Sequence, residues 1–343
     1  MDSELILLTG ITGYIGKHIA QRLLNAGFRV RGSLRDLDRA DEVRAALRPH
    51  LRDPSALAQA LTFTELDLED DAGWETAMAG VDVLMHTASP FPLAEPKDED
   101  ALLRPAVDGT LRALRAANAG GVERVILTSS VAAIQSRELP GDREALTEDD
   151  WTDPDHPTAG AYVRSKTAAE RAAWAYVETE APHLALTTIN PGMVLGPPLD
   201  RNFGSSVSLV QRVMRGSDPM LPRLGFPVVD VRDVAEMHLR AISRPETAGR
   251  RYIAADRFMW FSDIAQEVQT ALPDRRIKTR VAPDILIRAV SLFDATLKPV
   301  LPSLGRRTDM SNDRARREMD MQFMDAGKSI QETALFLAAT GPS

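Results

Sequence analysis

The 343-residue sequence contains no cysteine, which excludes disulfides, thiolate metal sites and cysteine nucleophiles and agrees with a reducing compartment. No apolar run approaches the roughly 20 residues needed to cross a bilayer. The opening Met1-Asp2-Ser3-Glu4 lacks the basic region of a secretory signal. Aromatic residues are only 5% of the chain, and no dense Lys/Arg stretch carries interleaved aromatics. Nucleic acid is therefore not an expected partner. These absences lead to the expectation of a soluble, cytoplasmic protein without membrane attachment, acting on a small molecule.

What is present is a globular composition. The formal charge of −8 and pI near 5.4 describe a solvated acidic surface, and 44% hydrophobic residues are ample for a large core. The length suits two domains, or one large α/β domain with an added lobe. Residues 5–9, Leu-Ile-Leu-Leu-Thr, read as a buried parallel strand, and residues 14–26 carry helical periodicity through Ile15, Ile19, Leu23 and Leu24. Between them lies Thr9-Gly10-Ile11-Thr12-Gly13-Tyr14-Ile15-Gly16. Gly10 allows a tight turn, Gly13 lets backbone approach a pyrophosphate, and Gly16 permits close helix–strand packing; the helix start offers unpaired N–H groups to an anion. A glycine turn without a ligand would look similar, but the strand–turn–helix context favours a nucleotide held by Gly10, Thr12, Gly13, Tyr14, Ile15 and Gly16.

A second strand is expected near residues 28–32, followed by Ser33-Leu34-Arg35. An NAD enzyme usually places a carboxylate at this strand end. None stands here, and Arg35 with Arg39 could instead clamp a 2′-phosphate, which favours NADP(H); the bland alternative is a pair of solvated helix-cap charges. A third strand over 61–66 leads into Asp67-Leu68, where Asp67 could meet the adenine amino group or cap a helix. The next strand, 81–85, runs into His86-Thr87-Ala88-Ser89, whose small residues would let backbone lie against the cofactor, with His86 more plausible as a packed residue than a catalytic one. A helix over 99–119 and a strand over 124–127 ending in Thr128-Ser129-Ser130 complete an order βαβαβαβαβ. That order calls for a parallel, doubly wound Rossmann sheet with ligands at the carboxyl ends of its strands.

Residues 135–157 are polar and proline-bearing and read as an exposed excursion. The alanine-rich helix after it carries Tyr162 and Lys166, four apart and so on one face. A strand over 183–189 ends in Asn190-Pro191-Gly192-Met193-Val194-Leu195-Gly196-Pro197-Pro198, whose proline and glycine density marks a domain transition. Beyond it, helices are expected at 207–214 and 233–243 and strands at 227–231 and 251–254. Residues 281–301 show helical spacing at Ile285, Ala289, Leu292 and Phe293, suited to a lid or a packed helix.

Taken together, the motifs at residues 9–16, 30–35, 86–90, 125–130, 162–166, 189–197, 229–233 and 249–253 resemble the extended short-chain dehydrogenase/reductase superfamily. Within it, they resemble the dihydroflavonol 4-reductase-like group, which includes cinnamoyl-CoA reductases and carbonyl reductases. The resemblance implies a cofactor-binding domain over residues 1–195 with return segments near 226–256. The remainder, 196–343, would be mainly a substrate lobe. It implies reversible NADPH-dependent reduction of an aldehyde or ketone, by a monomer or homodimer, with no metal. Ser130 would hold the substrate oxygen, Tyr162 would donate the proton, Lys166 would bind the nicotinamide ribose, and Ser129 would face the nicotinamide; Pro191, Gly192 and Val194 join the cofactor contacts. A phenol near pKa 10 is a poor acid–base group at neutral pH, so an adjacent ammonium and oxidised nicotinamide should lower it. One departure is Asp108 where many members place an asparagine, which questions a proton relay through that position. The competing readings are a nucleotide-sugar epimerase or dehydratase, a hydroxysteroid-type dehydrogenase, and a non-catalytic NADP-sensing regulator.

Overall fold

The computed structural model of the chain describes residues 3–89, 99–139, 141–293 and 295–341. Its strands in chain order are β1 (Leu5–Thr9), β2 (Arg29–Leu34), β3 (Leu61–Glu65), β4 (Val83–His86), β5 (Arg124–Thr128), β6 (Ala185–Pro191), β7 (Met193–Leu195), β8 (Gly225–Asp230), β9 (Arg250–Ala254) and β10 (Arg257–Trp260). Seven form one parallel sheet in the order β3-β2-β1-β4-β5-β6-β9. Helices cover both faces, so β1 is buried throughout, and Ile6, Leu7 and Leu8 are fully buried. The strand order reverses between β1 and β4, and that reversal opens a crevice at their carboxyl ends.

Two strand ends differ from expectation in ways that matter for the site. β2 continues to Leu34 because Gly32, Ser33 and Leu34 are buried and pair with β3, which makes Arg35 the first residue past the strand. The proline- and glycine-rich run is not a loose transition. β6 runs through Pro191, and Gly192 alone turns the chain into β7. A side chain on Gly192 would place its Cβ 2.2 Å from the Pro227 carbonyl oxygen, so the residue allows the two sheets to meet. β7, β8 and β10 form the smaller sheet, with β8 central, parallel to β7 and antiparallel to β10.

The chain then returns to the large sheet. The helix Val231–Ser243 packs against the helix Tyr14–Asn25, and β9 adds the seventh strand, whereas β8 stays in the small sheet. Asp230, fully buried, accepts from the Arg232 backbone N–H at 2.8 Å, capping that helix, and from the Ser329 hydroxyl at 2.6 Å in the last helix, Ala326–Thr340. One apolar core accordingly runs from β1 to Leu337.

Two further expectations are overturned. The 135–157 segment is anchored, not an exposed excursion: Ser136, Leu146, Glu148, Asp150 and Thr152 are all buried. Trp151 lies between the guanidinium groups of Arg251 and Arg171, 3.7 and 4.5 Å from its ring centre. Its polarity misled because these polar groups satisfy one another inside the protein. Among the described residues of the 281–301 segment only Asp284–Val290 is α-helical, and the predicted stripe faces outward, with Ile285 and Leu292 78% exposed and Phe293 93%. Ile287 packs inward instead, against Ala282 and Leu304. This helix is apolar on nearly every side, so spacing alone could not choose its buried face.

Candidate active site

The glycine turn is built as its sequence requires. Gly10 has φ +72°, and a Cβ there would lie 2.8 Å from the Ala88 backbone nitrogen, so β1 and β4 ends can touch only without a side chain. Gly16 faces the Gly10 carbonyl, 2.2 Å from where its own Cβ would be. The Gly13 N–H donates to the Gly10 carbonyl at 2.9 Å, and no side chain caps the helix that begins at Tyr14. Its first N–H groups stay available to an anion.

This turn borders a cleft of about 510 Å³. Its walls bring together Gly10, Thr12, Gly13, Tyr14, Ile15, Gly16, Arg35, Arg39, Asp67, Leu68, Thr87, Ala88, Ser89, Ser129, Ser130, Tyr162, Pro191, Gly192 and Val194. Only Lys166 of the predicted site residues is absent from that wall. It lines a separate cavity of about 10 Å³, room for about one water, together with Ser89, Ser129, Thr110 and Glu170. The cleft also includes Ser33 at the β2 end, and Gly204, Ser205 and Ser206 at the start of the helix Ser205–Arg215. The sequence carried a signal for the latter, a glycine and two serines directly before an apolar helix, and none specific for Ser33. Pro90, the last residue of the 86–90 motif, lies outside the described residues.

At the adenosine end, Arg35 is exposed and pairs with no described side chain. Arg39 is held by Glu42 through two bonds of 3.0 and 3.1 Å. An exposed pair of this kind contributes about 0.5 kcal/mol or less, so a phosphate can draw Arg39 away. Asp67 is exposed and accepts from the Glu69 N–H at 3.0 Å in a local turn; it caps no helix, since the next one, Trp74–Met78, begins after Gly73, and it borders the cleft. Tyr14 borders the cleft near its backbone, while its buried phenol donates to the Gly196 carbonyl at 2.8 Å, tying the turn to the smaller sheet.

At the nicotinamide end, Thr9 organises the loop after β4. Its hydroxyl accepts from the Thr87 and Ala88 N–H groups at 3.0 and 3.1 Å, so its proton goes to His86 Nδ1, 2.9 Å away. His86 is buried and neutral; burial pushes it down to about 3, and the nearby Lys166 charge acts the same way. Sequence reading missed this part of Thr9, whose only hint was a hydroxyl on the last residue of an apolar strand.

Tyr162 and Lys166 lie on the first turns of the helix Ala161–Thr179. The Tyr162 phenol is hydrogen-bonded to Ser130, and Tyr162 keeps 37% of its surface open. Ser129 turns the other way, its hydroxyl donating to Glu170 at 2.6 Å. Burial raises the pKa of the phenol, opposed by the Ser130 hydrogen bond. Lys166 lines the small cavity behind the cleft. Burial lowers Lys166 to about 8, and the Glu170 carboxylate acts in the opposite direction. Asp108 is exposed, and the cavity is lined from its helix by Thr110, whose hydroxyl is spent on the Ala106 carbonyl at 2.8 Å. Among the described residues no three His, Asp or Glu side chains are grouped to hold a metal, and no helix is long and apolar enough to cross a membrane.

A doubly wound sheet with a glycine turn at its switch point and a Ser–Tyr pair across the cleft defines a dinucleotide-dependent α/β protein. Residues 6–255 match the NAD dependent epimerase/dehydratase family, and the chain belongs to it. An uncharacterised oxidoreductase of Schizosaccharomyces pombe is 31% identical, with 97% of this chain and 99% of that protein covered. A cinnamoyl-CoA reductase of Medicago truncatula is 30% identical over 96% of this chain and 94% of its own length. The same fold occurs in yeast methylglyoxal/isovaleraldehyde reductase Gre2 complexed with NADPH, at TM-score 0.80 and 24% identity, with 98% of each chain covered.

Proposed function

We propose that the protein reduces an aldehyde or ketone to an alcohol with NADPH. The observation that carries this reading is the hydrogen-bonded Ser130–Tyr162 pair opening onto the glycine-lined cleft. The cleft suits a dinucleotide: a side chain at Gly10 or Gly16 would collide with backbone, the helix start is uncapped, and the exposed Arg35 on the cleft wall could meet a 2′-phosphate. The relatives' names support the carbonyl chemistry and differ in substrate, one named for a CoA thioester and one for methylglyoxal and isovaleraldehyde.

When bound, NADPH supplies the hydride that reaches the carbonyl carbon. The protein's own part is to meet the negative charge developing on the carbonyl oxygen. Ser130 donates its hydrogen bond to that oxygen and Tyr162 delivers the proton, leaving a phenolate. The raised phenol pKa keeps Tyr162 protonated, ready to act as the acid, throughout the neutral range. We assign the ribose to Lys166, Ser89 and Ser129 marking the wall between the two cavities. The cytoplasm is the compartment that the cysteine-free composition supports, with a monomer or homodimer as the working unit.

The experiment is a spectrophotometric screen of NADPH and NADH oxidation over aldehydes, ketones and ketoesters, with Tyr162→Phe alongside. Turnover with NADPH, falling by a factor of about 10³ or more in Tyr162→Phe while NADPH still binds, is the expected result. Tight NADPH binding without net consumption on any carbonyl would replace this reading by a cofactor-retaining epimerase or a regulator.

A further inference from the structure

Glu170 lies one turn beyond Lys166 and two beyond Tyr162, so the three share a face of the helix Ala161–Thr179. It is 1% exposed, and its carboxylate gathers five donors. Oε2 accepts from the Ser129 hydroxyl at 2.6 Å and the Asn190 amide at 2.7 Å. Oε1 accepts from Arg251 Nε at 2.7 Å, the Thr188 hydroxyl at 3.1 Å and the Trp174 indole at 3.3 Å. These donors come from the ends of β5, β6 and β9 and from the helix itself. The Asn190 amide also donates to the Ser130 backbone carbonyl at 3.1 Å. The carboxylate is thus one bond from Ser129 and one intervening side chain from Ser130.

A buried ion pair such as Glu170–Arg251 adds little net stability, because desolvation offsets the attraction. What this pair provides is location. It fixes the two serines at the β5 end against the helix that bears Tyr162, and it puts a negative charge in the cavity that holds the Lys166 side chain. The other groups around that lysine do not replace it. His86 from β4 is neutral, His238 behind Thr128 is pushed down to about 4, Arg251 is positive, and Thr110 is uncharged.

Resting on the reductase reading above, we propose that Glu170 is a positioning residue for the reaction. It sets the Ser129–Ser130 segment beneath the substrate oxygen and supplies the counter-charge that keeps Lys166 an ammonium.

The test compares wild type with Glu170→Gln, and with a Glu170→Met/Arg251→Met double variant that leaves no buried arginine unpaired should the single change fail to fold. With the carboxylate gone, kcat for carbonyl reduction is expected to fall about tenfold or more. The basic limb of the pH–rate profile is expected to move to lower pH by about half a unit or more, because the lysine loses its proton sooner. NADPH binding followed by cofactor fluorescence gives a readout without turnover: affinity that weakens as pH rises should weaken at lower pH in both variants. A purely structural role would lower the thermal midpoint while leaving kcat per folded protein and both pH dependences unmoved, and that result overturns the proposal. A wild type that binds NADPH yet reduces no carbonyl overturns the reductase reading instead, and the binding shift still decides the role of Glu170.

Discussion

At Tyr162, burial and a single hydroxyl neighbour act against each other, and burial wins. The side chain is therefore stored as an acid, which suits reduction. The group that titrates nearest neutrality is Lys166, lowered to about 8. In its proposed role at the ribose its ammonium is the competent form, so carbonyl reduction should decline as pH rises through about 8, measured as kcat/KM for NADPH over pH 6–10. A flat profile across that range would remove Lys166 from the reaction. The role proposed for Arg35 in cofactor choice rests on a different argument, since it alone of the two cleft arginines has no described partner. Arg35→Ala should weaken NADPH about 10-fold or more while changing NADH affinity less than about threefold, read from fluorescence titrations. The close backbone approaches at Gly10 and Gly16 could be read directly from spacing, because each follows from local backbone needs. The different directions of Ser129 and Ser130 could not, because they depend on Glu170, 40 residues further along the chain.

Among the elements, the 135–157 segment changes most between expectation and structure. Its Trp151 is held by two guanidinium groups, and Arg251 Nη1 also donates to the Glu148 and Asp150 carbonyls, each at 2.7 Å. Trp151→Ala should therefore destabilise the protein by about 2–4 kcal/mol in urea unfolding. An exposed excursion would give a change within about 0.5 kcal/mol, so the measurement separates the two descriptions. Strand β2 shows the smaller kind of discrepancy. Its last two residues, Ser33 and Leu34, are polar and apolar in an order that marks no end, yet pairing with β3 extends the strand to the edge of Arg35.

Over the whole molecule, three buried histidines set the response to acid. His18 and His238 are lowered to about 4 and His86 to about 3, in each case chiefly by burial. Unfolded, each would titrate near 6.5. The folded state thus binds fewer protons than the unfolded state between these values, so the stability they contribute is complete above about pH 6.5 and is lost as pH falls towards 3–4. Asp233, raised to about 6 by burial, and Glu148, also raised by burial, oppose this, since their preference for folding is lost as pH rises through their folded values. Three groups against two favour the histidines. The urea midpoint should fall steadily from pH 6.5 to 4.5, and replacing His238 by a glutamine should flatten part of that slope.

The sequence by itself determined the parallel sheet, the glycine turn and the identity of the residues that gather at the cleft. Each of these rests on a period of two or 3.6 residues, or on a backbone conformation that only certain residue types allow. Tertiary structure decided where Lys166 points, which serine meets Tyr162, and whether the 135–157 and 281–301 segments are covered or open. Those outcomes depend on partners brought together by sheet order, such as Glu170 with Arg251, and on the desolvation their meeting creates. Neither is encoded within a few residues of the side chain concerned.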